Sequence, residues 1–124
     1  MPIINSPKAP APIGPYSQAV KAGNTLYVSG QIPIDQSTGN LIESSIEEET
    51  EQVMKNLGYI LEEAGLTFEN VLKCSIFVSD MGNFSRINEV YSRYFTENPP
   101  ARETVEVSEL PKGVNVEISC IATF

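Results

Sequence analysis

The sequence predicts an α+β fold in which one mixed sheet carries two helices on one face. Three observations carry that prediction. Two stretches repeat apolar residues at helical spacing, and several shorter ones alternate at period two. Their order along the chain is strand, strand, helix, strand, helix, strand, strand, which suits segregated helices over one sheet. Finally, 124 residues with 41% hydrophobic content suffice for one ordinary core, so residues 1–124 are expected to form a single domain.

Residues 1–15 contain five prolines (Pro2, Pro7, Pro10, Pro12 and Pro15), so the chain begins as an irregular arm that cannot be helical. The stretch from Ile13 to Val20 leads into a strand, Gly23-Asn24 makes a turn, and Thr25 to Ser29 forms the second strand of a hairpin. At its end, Gly30 lets a ligand approach the main chain closely. Residues 32–41, with Pro33 and a Ser-Thr-Gly-Asn run, read as a loop.

Ser45 begins the first helix, Glu48 completes a capping box, and Glu47, Glu48 and Glu49 sit at the positive end of the helix dipole. Ile46, Thr50, Val53, Met54, Leu57, Ile60, Leu61 and Ala64 form its apolar stripe, and Gly65 supplies the stop. Its acidic outer face is read as solvated, with a Glu51–Lys55 pair.

From Val71 to Asp80 the chain alternates, with Leu72, Cys74, Ile76 and Val78 on one face, so Cys74 reads as a core thiol. Asn83 is expected to cap a second helix whose stripe is Phe84, Ile87, Val90, Tyr91, Tyr94 and Phe95. Pro99 and Pro100 end that segment and lead into a strand from about Ala101. This strand puts Arg102, Thr104 and Glu106 on one face and Glu103, Val105 and Val107 on the other. Leu110 to Gly113 turns into the last strand, Val114 to Phe124, where Glu117 opposes the apolar face.

Composition narrows the chemistry. A net charge of −8 argues against nucleic-acid binding through phosphates, which needs a basic face. No apolar run spans a membrane and no signal-like segment opens the chain, so a cytoplasmic protein is expected. Cys74 and Cys120 have no metal-ligand spacing, and histidine is absent, which removes histidine-dependent triads and zinc sites. Neither a metal nor another cofactor is expected. Arg102 at a rigid strand start is then a preorganised fork for a carboxylate, while pattern alone also allows a solvated edge arginine. Glu117 reads equally as an exposed strand residue, or as facing the Arg102 cleft if the last two strands pair through their turn. The uncovered sheet face is partly apolar and argues for self-association.

At Gly14-Pro-Tyr-Ser-Gln-Ala-Val20, Ser29-Gly-Gln-Ile-Pro33, Asn88, Pro100-Ala-Arg102 and Val116-Glu-Ile118, the chain resembles the RidA (YjgF-like) reactive-intermediate deaminases nearly end to end. The resemblance implies a chorismate-mutase-like fold assembled as a homotrimeric barrel, with sites in the clefts between subunits. It implies hydrolysis of 2-imino acids such as 2-iminobutanoate and 2-iminopropanoate to 2-oxo acids and ammonia. By the same resemblance Arg102 binds the substrate carboxylate, Glu117 positions or activates water, and Tyr16, the Gly30 main chain, Asn88 and Thr104 line the pocket. Thr104 stands where many members have cysteine, and Glu103 replaces a usual small residue and would compete with substrate if it folded back onto Arg102. Other readings are a non-catalytic binder of 2-oxo acids, a holdase chaperone, or a ribonuclease, the last opposed by the acidic charge and the missing histidine.

Overall fold

The computed structural model describes residues 2–124. Its main sheet has the order β1 (Ile3–Ile4), β2 (Ala19–Ala22), β3 (Thr25–Gln31), β8 (Val116–Thr123), β6 (Val71–Val78), β7 (Ala101–Glu106). Only β6 and β7 run parallel, and the helix between them makes the crossover that parallel pairing requires. The expected pairing of the last two strands is therefore corrected. Strand β6 lies between β7 and β8, and β7 forms an edge.

Helix α1 (Ile46–Glu63) starts where expected, with extended Ser45 accepting the Glu48 N–H at 3.1 Å. The reciprocal half of the box does not form, because the Glu48 carboxylate takes the Ser44 hydroxyl instead. At the other end Gly65 adopts φ +78°, and the Gly65 and Leu66 amides donate back to Glu62 and Leu61, as in a Schellman stop. The expected Glu51–Lys55 pair is replaced by a 2.6 Å hydrogen bond from the Tyr94 hydroxyl to Glu51. The half-buried Tyr94 phenol needs a hydrogen-bond partner more than the exposed Lys55 ammonium does.

Helix α2 (Phe84–Ser92) is shorter than its stripe, since Tyr94 and Phe95 lie in the turns beyond it. Asn83 makes no side-chain cap. Asp80 binds the Gly82 amide at 2.8 Å and opens a 3₁₀ turn that runs into the helix. Two more expectations are adjusted. The 32–41 loop contains a small hairpin, β4 (Ile34–Asp35) with β5 (Asn40–Leu41), and a register shift between Val71 and Lys73 turns Leu72 outward. Val71 takes the core place that Leu72 would have had.

Both helices cover one face of the sheet. Val53, Met54, Leu57, Ile60, Leu61 and Ile87 pack on Leu26, Val28, Cys74, Ile76, Val78, Val116, Ile118, Cys120 and Ala122. The opposite face is open over much of its area. Tyr27 is 50% and Val105 43% exposed there, and Glu103 bridges to Lys73 at 3.1 Å. A second cluster of Ile32, Leu110 and Val114 with Phe77 covers one end of it.

The proline-rich arm is not irregular throughout, since Ile3–Ile4 pair with β2, and beyond that pairing it is anchored by Gln18. The side chain of buried Gln18 accepts the Ser6 N–H at 2.7 Å and donates to the carbonyls of Ser6, Ala9 and Pro10. In this way the part of the arm beyond β1, which joins no ladder, still finds hydrogen-bond partners.

Candidate active site

The residues proposed for the pocket separate into two groups. Arg102, Thr104 and Asn88 line a shallow recess between β7 and α2, walled by Ile76, Val78, Phe84 and Ile87. One Arg102 N–H donates to Asn88 Oδ1 at 2.6 Å, and the guanidinium carbon lies 5.1 Å from the Tyr91 ring and 5.5 Å from the Phe84 ring. No carboxylate pairs with Arg102 among the described residues. Glu103 points the other way, as strand parity predicts, and binds Lys73 and the Ser75 hydroxyl, which hold its carboxyl below the ordinary range. The Thr104 hydroxyl oxygen is buried and has no hydrogen-bond partner.

The other group gathers at the end of β3. Tyr16 and Gly30 line a narrow cleft with Pro10, Ala11, Ile13, Gln31, Ile32 and Ile34. The Tyr16 hydroxyl accepts the Ile13 N–H at 3.4 Å. Strand β3 slips register against β8 between Val28 and Gln31, so Gly30 falls in a bulge. Glu117 leans into the space this leaves. A Cβ on Gly30 would sit 2.8 Å from the Glu117 Cδ, which explains the glycine by close approach of the carboxylate rather than of a ligand. Glu117 has no hydrogen-bond or ionic partner among the described residues, and burial pushes its carboxyl above the usual 4.5.

The buried asparagine Asn56 holds this cleft from behind, donating to the carbonyls of Ile32 and Ile34 at 3.1 and 3.0 Å. A second buried polar clamp leads into β8. Glu49 accepts the Asn115 backbone and side-chain N–H groups at 3.2 and 2.9 Å, two residues before Glu117.

Register shows which way each group faces. Arg102 is level with Cys74, and Cys74 with Cys120, on the helix-covered face. Glu117 is level with Phe77, and Phe77 with Val105, on the open face. The expectation that Arg102 and Glu117 share a cleft on one chain is thus corrected: the two lie on opposite sides of the sheet. The reason is the intervening strand together with an odd offset along the ladder, since each single step reverses the side.

Cys74 is buried as expected, and burial pushes its thiol up. The Tyr91 hydroxyl, itself buried and raised by burial, lies near this thiol without a well-aligned hydrogen bond. The apolar-stripe pattern alone makes Phe84 and Tyr91 core aromatics; the sequence signal for their contact with Arg102 is their spacing with Asn88, positions i, i+4 and i+7 of α2.

Comparison with known proteins agrees with the residue pattern. Residues 6–124 match the family model described as Endoribonuclease L-PSP. A 2-iminobutanoate/2-iminopropanoate deaminase of Mus musculus is 48% identical over 97% of this chain and 89% of its own. The chain belongs to the RidA family. Among solved structures, a putative endoribonuclease from Thermotoga maritima is 50% identical with a TM-score of 0.97, covering 100% of this chain and 98% of its own. RidA from an Antarctic Psychrobacter is 41% identical with a TM-score of 0.95, covering 100% of both chains. RidA membership accounts for the two helices on a mixed sheet, and no helix of the described residues is long and apolar enough to cross a membrane.

Proposed function

We propose that this chain hydrolyses small 2-imino acids, of the kind named for its mouse relative, to 2-oxo acids and ammonia, in the cytoplasm. The observation that carries this reading is a pair of complementary half-sites: an arginine with no carboxylate partner among the described residues, and a half-buried glutamate with a raised pKa and, among the same residues, no partner. The first suits a planar carboxylate and the second a water molecule. Buried free thiols at Cys74 and Cys120 are consistent with a reducing compartment.

Because the half-sites face opposite ways, a complete pocket takes Arg102, Asn88 and Thr104 from one copy and Glu117, Gly30 and Tyr16 from a neighbour. Two copies related by a two-fold axis would have to present both faces to each other at once, so a ring is the natural closure. We therefore read the working form as a homotrimer, which would also cover Tyr27 and Val105.

In such a pocket Arg102 grips the substrate carboxylate bidentately and fixes the plane of the conjugated imine. With the imine nitrogen protonated, Glu117 accepts a proton from water as the water oxygen bonds to the imine carbon, giving a neutral carbinolamine. That proton then passes to the nitrogen, and as the C–N bond breaks the carbinolamine hydroxyl gives its proton back to Glu117, so that ammonia leaves and the oxo acid remains. A carboxyl raised by burial is better matched to these transfers than an exposed one. The Thr104 hydroxyl, lacking a partner among the described residues, is available to substrate or water.

The nuclease in the family description has less support here. Net charge −8 and the absence of histidine leave neither a phosphate-binding face nor an imidazole base. To test the proposal, 2-aminocrotonate is generated with a dehydratase and its loss followed: the chain should accelerate it, and Arg102→Ala should abolish most of the acceleration. Equal rates with and without the chain, or an Arg102→Ala variant as active as the parent, would reject it.

A further inference from the structure

Arg102 is an exposed edge-strand side chain, and such a group ordinarily samples many rotamers, whose loss on binding weakens affinity. Here three residues on one stripe of α2 meet it before any ligand does. Phe84 and Tyr91 lie within cation–π range of the guanidinium, and Asn88 accepts one of its five N–H donors, leaving the others for a carboxylate. No acidic group competes for the charge among the described residues, because Glu103 is drawn to Lys73 on the far face. We infer that Phe84 and Tyr91, with Asn88, are positioning residues that hold the Arg102 guanidinium in its carboxylate-binding orientation in the unliganded protein.

Rings suit this task better than a carboxylate. An ion pair would hold the guanidinium too, but it would occupy the donors that substrate needs and neutralise the charge that attracts an anion to an acidic protein. Aromatic faces restrain the cation and leave its edge free. Tyr91 stands on a firm base for this, since it is buried and packs on Phe95 with ring centroids 4.8 Å apart.

The inference rests on the deaminase reading for its kinetic consequences but not for its structural one, and the experiment separates them. The carboxylate contact is made in ground state and transition state alike, so loosening it acts on KM. Phe84→Leu and Tyr91→Leu are expected to raise KM for the imino acid, and the dissociation constant for 2-oxobutanoate, about five- to tenfold, with kcat within about twofold of the parent. Tyr91→Phe, which keeps the ring, should restore most of the loss. Phe84 is 37% exposed, so its variant tests the idea even if Tyr91→Leu fails to fold.

Independently of turnover, ¹⁵N spectra of the ligand-free protein read the guanidinium directly, and only three arginines (Arg86, Arg93 and Arg102) need assignment. In the parent, the Arg102 Nε–H should be shifted by ring currents and its terminal groups should rotate slowly, and Phe84→Leu should diminish both signatures. An Arg102 signal indistinguishable from that of an exposed arginine overturns the inference, as does Phe84→Leu with unchanged signal and unchanged KM. If the parent lacks deaminase activity, the catalytic reading fails while the spectra still decide the positioning role.

Discussion

The role proposed for Glu117 rests on what surrounds it. Among the described residues nothing donates to it or neutralises it, and the missing side chain of Gly30 gives it room, so burial is what raises its proton affinity. The consequence for stability follows from linkage. A carboxyl whose folded pKa lies above its unfolded value binds more protons in the native state, so the contribution is favourable at low pH and is lost as pH rises through the folded pKa. Ionised Glu117 therefore costs stability at neutral pH. Glu117→Gln should abolish most activity yet raise the melting temperature by roughly 1–3 °C at pH 7, a difference that disappears below about pH 4. Thermal unfolding at both pH values checks this, and a variant melting lower than the parent at pH 7 would contradict it. In the parent, activity should fall on acidification through a pKa above the ordinary 4.5.

At the scale of elements, the arm between β1 and β2 depends on Gln18, whose side chain makes four hydrogen bonds to Ser6, Ala9 and Pro10. Gln18→Ala should lower the unfolding free energy by about 2–3 kcal/mol and expose residues 5–13 to limited proteolysis, with KM rising as Tyr16 loses its place. Denaturant midpoints and digestion patterns measure both. The sequence makes the faces of these elements legible but not their neighbours. Periodicity placed Cys74, Ile76 and Val78 on a buried side and stopped α1 at Gly65, because local spacing decides both. It could not say that β6 slides between β7 and β8, since lateral order comes from a crossover that leaves no mark in either strand's alternation. The Leu72 bulge and the Tyr94–Glu51 bond were hidden for the same reason, as each depends on a residue distant in sequence. Pattern alone leaves Arg102 as either a carboxylate fork or a solvated edge charge and Glu117 as either exposed or facing the same cleft, and only the resemblance chooses between them and adds Tyr16, Asn88 and Thr104.

For the whole molecule, the decisive quantity is how many faces a copy needs. If the pocket joins Arg102 of one chain to Glu117 of the next, two inactive variants complement each other. Arg102→Ala and Glu117→Gln chains, unfolded together in equal amounts and refolded, should recover activity at about one quarter of the sites, because one interface in four pairs an intact arginine with an intact glutamate. Separately refolded and then mixed without exchange, they should remain inactive. Recovery in neither case would mean that each chain builds its site alone.

The opposed orientation of the two half-sites also bears on inheritance. In a closed ring each subunit lends its arginine to one neighbour and its glutamate to the other, so a polypeptide defective in both silences two pockets at once. A cell making mixed rings from an intact and a doubly defective allele would lose more than half its capacity, and the damaged allele would act as a dominant poison rather than as a simple absence.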